Sequence, residues 1–224
     1  MNRLHDLGVP PLINAAGAYT MFGGSRLAPG VREAMAEAAH TFLDLDLLQR
    51  RVGERIAALT GNEACFVSSG AAAGVAIAVA ACVAGTDPAA IDAFPVRDGR
   101  EVVVQRAQRN GYDYSARMTG ARLVEIGAPR PADGSGTAGG PDAARADPDE
   151  LRGALSPRTA CVLVFAGLTY EPGALPLADL IAIAHTAGVP VVVDAAGQVP
   201  PVSNLSRYTA ADGADQVSTL RKLR

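Results

Sequence analysis

Residues 160–194 read ACVLVFAGLTYEPGALPLADLIAIAHTAGVPVVVD and contain two continuous apolar runs separated by a stretch of helical length. Continuous runs of branched apolar residues are typical of parallel strands that are covered on both faces. The two runs predict strands over Ala160–Phe165 and Pro190–Asp194, and the residues between them predict a helix over Leu177–Ala187. A strand, a crossover helix and a second strand form the repeating unit of α/β proteins.

The same alternation extends toward the N-terminus. Further strands are predicted over Ala64–Ser68, Glu101–Gln105 and Arg122–Ile126. Further helices are predicted over Pro29–Ala39, Leu45–Leu59, Ala71–Ala84, Tyr112–Thr119 and Pro148–Leu155. In the second of these helices, apolar residues recur at a spacing that predicts one buried face. We therefore expect an α/β fold, a mostly parallel sheet with flanking helices.

The predicted domain organisation is simple. An extended arm over residues 1–28 precedes one large domain over residues 29–224. Within that domain, residues 129–147 are rich in Gly, Ala, Pro and Ser, which predicts a flexible loop with little capacity for ordered packing.

Composition excludes several classes of function. The net charge of −3 argues against a nucleic-acid surface, because such domains usually carry a basic patch. The three cysteines lie far apart without metal-ligand spacing, which predicts buried reduced thiols and no metal site. The longest apolar run, Ala71–Ala84, is too short to span a bilayer, and the N-terminus lacks the apolar stretch of a signal peptide. We expect a cytoplasmic protein that binds neither membranes nor nucleic acids.

The residues Ser68-Ser-Gly-Ala71 lie between a predicted strand and a predicted helix. Glycine and other small residues let backbone N–H groups approach a phosphate, and the N-terminus of a helix adds a partial positive charge. The same residues also fit an ordinary helix N-cap that packs closely on a sheet. Both interpretations remain open for this motif on its own.

Polar residues follow two predicted strands at their carboxyl ends, where ligands bind in open α/β sheets. Asp194 could pair with a protonated pyridine nitrogen, or it could cap the next turn. Gln108, Arg109 and Asn110 could pack on a planar cofactor or bind an anionic substrate, or they could form an Asn-Gly turn.

Residues 12–20 (LINAAGAYT), 59–73 (LTGNEACFVSSGAAA) and 102–113 (VVVQRAQRNGYD) occur in an order and spacing that resemble a known family. Residues 189–202 and 213–215 add to the resemblance, which covers nearly the whole chain. The family is the selenocysteine synthase-like branch of the fold-type I enzymes that use pyridoxal 5′-phosphate (PLP). It includes seryl-tRNA(Sec) selenium transferases and D-glucosaminate-6-phosphate ammonia-lyase-like proteins.

The resemblance implies a PLP-binding large domain that is normally dimeric. It implies that Ser69, Gly70 and Ala71 hold the phosphate and that Asp194 pairs with the pyridine nitrogen. Gln108 stands where relatives often carry a histidine that could stack on the cofactor. The implied activity is an α,β-elimination, a lyase reaction, on a small-molecule substrate that is an amino acid or an amino sugar acid.

Lys222 is the only lysine of the chain, and the resemblance implies a Schiff-base lysine at nearly this distance after Asp215. Leu220 and Arg221 replace glycines that the family has before that lysine. The sequence also ends before the last sheet strand and the small C-terminal domain, which predicts a truncated protein.

Three alternatives to a lyase remain. The first is a truncated, catalytically inactive homologue that retains only the fold. The second is a selenium transferase that acts on seryl-tRNA. The third is a nucleotide-binding α/β domain that uses Ser69 and Gly70 for phosphate, although the chain lacks a G-x-G-x-x-G fingerprint after its first strand.

Overall fold

The computed structural model describes residues 6–15, 22–129 and 146–218. They fall into two units that divide between Asp44 and Leu45. In the first unit, helix α1 spans Pro29–Ala38 and begins with proline. Proline suits the first turn of a helix because the N–H that it lacks would have no partner there. Parts of the predicted arm and nearly all of the predicted loop 129–147 lie outside the described residues.

The second unit is built on a sheet of five parallel strands in the order β2-β1-β3-β4-β5. The strands are β1 Glu101–Gln105, β2 Arg122–Ile126, β3 Thr159–Phe165, β4 Val191–Asp194 and β5 Gln216–Ser218. The predictions for β1 to β4 are confirmed to within one residue. Because all pairs are parallel, the carboxyl ends of the five strands share one edge of the sheet.

Four predicted helices of this unit are confirmed to within one residue, whereas the predicted helix Tyr112–Thr119 is shorter at both ends. The short helices Pro88–Asp92 and Asn204–Ser206 were not predicted. The helices are α2 Leu45–Thr60, α3 Ala71–Ala84, α4 Pro88–Asp92, α5 Tyr114–Arg117, α6 Pro148–Ala154, α7 Leu177–Thr186 and α8 Asn204–Ser206. Short 3₁₀ turns at Arg106–Gln108 and Gly111–Asp113 precede α5, and a π turn at Arg207–Ala211 follows α8. The α/β fold class is therefore confirmed.

Both faces of the sheet are buried, which accounts for the continuous apolar runs. Val162, Val191 and Val193 pack with apolar residues of α6 and α7 on one face. Val192 and Leu163 pack with residues of α3 on the other face. Side chains of a strand alternate between faces, so each strand must be apolar at every position to fill both layers.

The predicted strand Ala64–Ser68 is wrong. These residues pair with no strand in the described part of the chain, and Phe66 and Val67 are exposed. The β-branched and aromatic composition favours an extended backbone, whereas a strand also needs a neighbour that pairs with its N–H and C=O groups. The segment still leads directly into α3.

The predicted buried face of α2 is also wrong in part, since Leu45, Leu48 and Leu59 are exposed. The packed side of α2 instead contains Gly53, where a Cβ would lie 2.3 Å from the Cys65 carbonyl oxygen. Helical periodicity identifies an apolar stripe but does not specify what covers it.

Three further observations bear on function. In the described part of the chain, no group of His, Cys, Asp and Glu side chains could hold a metal ion. No helix within those ranges is long and apolar enough to cross a membrane. Cys161 is buried as expected, whereas Cys65 and Cys82 are half-buried free thiols.

Glu101 begins β1, and its side chain is 3 % exposed. Arg122 and Arg158 approach it at 2.5 and 3.1 Å, and the Ser156 hydroxyl donates to it at 2.9 Å. Burial raises the pKa of Glu101, but the hydrogen bonds from Ser156, Arg122 and Arg158 outweigh burial and lower it below its ordinary value. Glu101 therefore stabilises the fold above the pKa of an unfolded glutamate, and this contribution disappears as the pH falls through the lowered pKa.

We expect Glu101→Gln to cost about 2 kcal/mol of the free energy of unfolding at pH 7, because two arginines lose their carboxylate. The cost should shrink toward zero at a pH below the lowered pKa of Glu101, where the native carboxyl is also neutral. Urea unfolding at both pH values measures it. The exposed control Glu54→Gln should change stability by less than about 0.5 kcal/mol. An equal loss at both pH values would contradict the argument.

Candidate functional site

Helix α3 begins without a capping side chain. Its N-cap, Gly70, has φ 153° and ψ 172°, a conformation that L residues rarely adopt. The Ser68 hydroxyl donates to the Gly70 carbonyl at 2.9 Å, and among the described residues it accepts no N–H of the first turn of the helix. Those N–H groups therefore have no side-chain acceptor among the described residues, and the helix dipole adds a partial positive charge. This end of α3 suits an anion.

The predicted anion-binding residues lie at this turn. Ser69 is exposed, and Gly70 and Ala71 are half-buried. A Cβ built on Gly70 would meet nothing within 4 Å, so open space adjoins the turn. Gly70 is the N-cap of α3 and supplies no capping side chain, so both interpretations of this motif stay predictions.

Asp194 ends β4 between Phe165 of β3 and Ser218 of β5. It is only 7 % exposed, and its Oδ1 accepts the Ala196 N–H at 3.0 Å. Burial raises the pKa of Asp194, and the Ala196 hydrogen bond lowers it by less. Among the described residues no cation offsets this burial. The carboxylate thus caps the next turn, as one alternative predicted, and is also suited to receive a cationic group.

Asp194 and the start of α3 lie on the same side of the sheet. Side chains two apart on a strand share a face, so Asp194 points to the same side as Val192. Val192 packs with Val75 and Val79 of α3. The Ser218 hydroxyl donates to the Ala71 carbonyl at 2.9 Å, which brings the first turn of α3 to the carboxyl edge of the sheet.

Gln108 lies at the same edge and is 4 % exposed. Its Oε1 accepts the Phe165 N–H at 3.2 Å, and its Nε2 donates to the Tyr170 carbonyl at 3.3 Å. Both polar ends of the side chain are engaged with backbone, so Gln108 can offer a ligand its methylenes and the plane of its amide. This arrangement suits packing on a ring better than hydrogen bonding to a substrate.

Arg109 and Asn110 have other partners. Arg109 pairs with Asp113 and Glu125, and two carboxylates neutralise its charge. Asn110 Oδ1 accepts the Tyr112 N–H at 2.7 Å and begins the next turn. Asn110 therefore forms a turn, as one of the two interpretations predicted. Arg109 is already paired with two carboxylates and is not available to an anionic substrate in this arrangement.

Two residues complete the comparison with the sequence. Ser218 was not predicted, because β5 has a single apolar residue and shows no strand pattern. Lys222 lies outside the described residues, so its assignment as the Schiff-base residue stays a prediction.

No family model matches the chain. Among curated proteins, it is 36 % identical over 220 residues to a 5′-C-glycyluridine monooxygenase-decarboxylase of a Streptomyces species, covering 94 % of this chain and 50 % of the relative. It is 32 % identical over 223 residues to a D-glucosaminate-6-phosphate ammonia lyase of Salmonella typhimurium, covering 96 % and 55 %. It is 28 % identical to an L-seryl-tRNA(Sec) selenium transferase of Geotalea uraniireducens, covering 85 % and 40 %.

A solved structure of D-glucosaminate-6-phosphate ammonia-lyase superimposes with a TM-score of 0.83 at 32 % identity, covering 97 % of this chain and 56 % of that one. The chain belongs to the selenocysteine synthase-like branch of fold-type I PLP enzymes. It spans about half the length of the two curated relatives that are at least 32 % identical to it. The chain shares its parallel sheet and the flanking helices with the ammonia-lyase structure.

Proposed function

We propose that the second unit binds PLP and forms part of a lyase that carries out α,β-elimination on an amino acid or an amino sugar acid. One observation carries the proposal. On one face, at one edge of the sheet, lie a helix N-terminus that no side chain caps and a buried carboxylate that no cation neutralises among the described residues. PLP presents a phosphate at one end and a protonated pyridine nitrogen on its ring. The residues present fit both groups.

Each residue of the site would bind a different part of PLP. The N–H groups at the start of α3 and the Ser69 hydroxyl bind the phosphate. Asp194 accepts the hydrogen bond of the ring nitrogen and keeps that nitrogen protonated, and the gained cation lowers the pKa that burial had raised. Gln108 packs its amide plane on the ring. When bound, PLP supplies an electron sink for a carbanion beside the substrate amine.

Lys222, the only lysine of the sequence, is the residue that we propose to hold the cofactor covalently. An amine freed from that role is suited to take the proton from the α-carbon of the substrate. We further propose that the protein assembles as a homo-oligomer.

The lyase activity rests on the similarity to the ammonia lyase, in sequence and in structure. The net charge of −3 does not favour a tRNA substrate. A second candidate is the oxidative decarboxylation that the name of the 36 % identical relative describes, since that identity exceeds the one with the ammonia lyase.

PLP titration of the full chain tests the proposal. We expect a visible absorption band that develops with PLP, and borohydride reduction should fix the cofactor on Lys222, as located by peptide mass mapping. Lys222→Ala should abolish the fixed adduct while PLP still binds reversibly, because the phosphate and ring-nitrogen contacts remain.

Three other results would separate the alternatives. Reversible binding without an adduct in the unmodified chain would favour an inactive homologue. Absence of PLP binding would overturn the proposed function. Release of ammonia from amino acids or amino sugar acids would distinguish the lyase from the decarboxylase.

A further inference from the structure

Ser218 contacts both halves of the proposed cofactor site. Ser218 is paired with Asp194 in the β4–β5 ladder. Its backbone carbonyl accepts the N–H of Ala195, the residue that follows Asp194, at 2.8 Å. Its hydroxyl donates to the Ala71 carbonyl at 2.9 Å in the first turn of α3. The residue is 8 % exposed, so this contact is shielded from water.

Gly74 shows how closely α3 approaches this serine. A Cβ at position 74 would lie 2.6 Å from the Ser218 Oγ and 3.4 Å from the Ser68 Oγ. A contact below 3.0 Å requires one group to move, so glycine is the residue that permits the helix to lie against the hydroxyl. The start of α3 is thus positioned by a hydrogen bond and by close packing on the same side chain.

We propose that Ser218 is a positioning residue that sets the separation between the anion-binding turn of α3 and the carboxylate of Asp194. The inference rests on the proposed function. In PLP a rigid ring and a short CH₂–O linker join the ring nitrogen to the phosphate, so the cofactor can span only a narrow range of separations between the two subsites. Ser218 acts through Ala71 and Asp194 and needs no contact with the cofactor.

The test compares three probes on the full chain: PLP, pyridoxal, which lacks the phosphate, and inorganic phosphate. We expect Ser218→Ala to weaken PLP binding about 10-fold while the affinities for pyridoxal and phosphate change by less than about twofold, because each of these engages one subsite. Ser218→Thr keeps the hydroxyl and should recover at least part of the PLP affinity.

The outcomes are distinguishable. Equal weakening of all three probes would indicate general loss of structure and would overturn the positioning role. Unchanged PLP affinity in Ser218→Ala would overturn it as well, while the proposed function would stand. No PLP binding by the unaltered chain would overturn both.

A second measurement does not depend on the cofactor. Gly74→Ala should lower the Tm by about 6 °C, because its methyl group collides with the Ser218 oxygen. In the Ser218→Ala background the same change should cost much less, since the nearest remaining atom of residue 218 is at 3.5 Å. Gly153→Ala in α6, where a Cβ meets nothing within 4 Å, is the control and should not lower the Tm. Strictly additive losses at positions 74 and 218 would overturn the inferred contact.

Discussion

Replacing Asp194 with asparagine should weaken PLP binding about 100-fold, or about 2.7 kcal/mol, and at the same time stabilise the cofactor-free chain by about 1 kcal/mol at pH 7. The loss of affinity follows from the loss of a charge-assisted hydrogen bond in a buried position. The gain in stability follows because asparagine can still accept the Ala196 N–H without a buried charge.

The pH dependence of this stabilisation has a defined sign. Burial raises the folded pKa of Asp194 above its ordinary value, so ionisation costs stability as the pH rises from the ordinary pKa through the raised one. The advantage of Asp194→Asn should therefore be absent below the ordinary aspartate pKa and complete above the raised pKa. Urea unfolding across this range, together with PLP titration at neutral pH, measures both effects.

Asp92→Asn is the matched control, because Asp92 is exposed at the end of α4. It should change stability by less than about 0.5 kcal/mol and leave PLP affinity unaltered. A parallel loss of stability and PLP affinity in Asp194→Asn would instead mean that the carboxylate maintains the fold. Unchanged PLP affinity would remove Asp194 from the proposed site.

Gly120→Ala should destabilise the fold by about 4 kcal/mol, the largest effect expected for a single methyl group. Gly120 has φ 90°, and a Cβ there would lie 2.1 Å from the Val96 carbonyl oxygen and 2.7 Å from the Val96 nitrogen. Both atoms belong to the backbone, and the Val96 N–H donates to the Thr119 carbonyl at 2.8 Å, so the obstacle cannot rotate away.

Gly99→Ala is the control that measures the cost of backbone strain alone, without the steric collision that is expected at position 120. Gly99 has φ 80°, but the nearest atom to its added Cβ is the Arg158 Cδ at 3.9 Å, an ordinary contact. We expect it to cost about 1 kcal/mol, the penalty for a left-handed alanine. Equal losses for the two variants in urea unfolding would show that the close approach of residue 120 to Val96 does not contribute.

The sequence pattern was sufficient to predict a helix or a strand wherever that element is determined by its own residues. The β3–α7–β4 unit was predictable because its apolar runs and its helix lie within one continuous segment. The same reasoning failed for Ala64–Ser68, whose composition favours an extended chain but whose pairing depends on a neighbouring strand. It also failed for α2, because the stripe Leu45, Leu48 and Leu59 is visible in the sequence while its covering is not.

In the candidate site, too, some residues could be predicted from the sequence and others could not. Asp194 was predictable because a carboxylate that ends an apolar strand lies at the ligand-binding edge of a parallel sheet. The sequence could not show that Gln108 holds the Phe165 and Tyr170 backbone, since those partners are more than fifty residues away. Ser218 was missed for the same reason, because its hydroxyl meets a carbonyl 147 residues earlier in the chain.

The sequence by itself therefore determined the fold class, the bounds of most helices and strands, and the residue types at the edge of the sheet. These follow from the periodicity of apolar residues and from capping and turn preferences, which act over a few neighbouring residues. Only the tertiary structure decided that, among the described residues, no side chain caps the start of α3 beside Ser218 and no cation offsets the burial of Asp194. It also decided that Arg109 pairs with two carboxylates. Those properties depend on contacts between distant segments, and their burial and electrostatics arise only when the sheet has assembled.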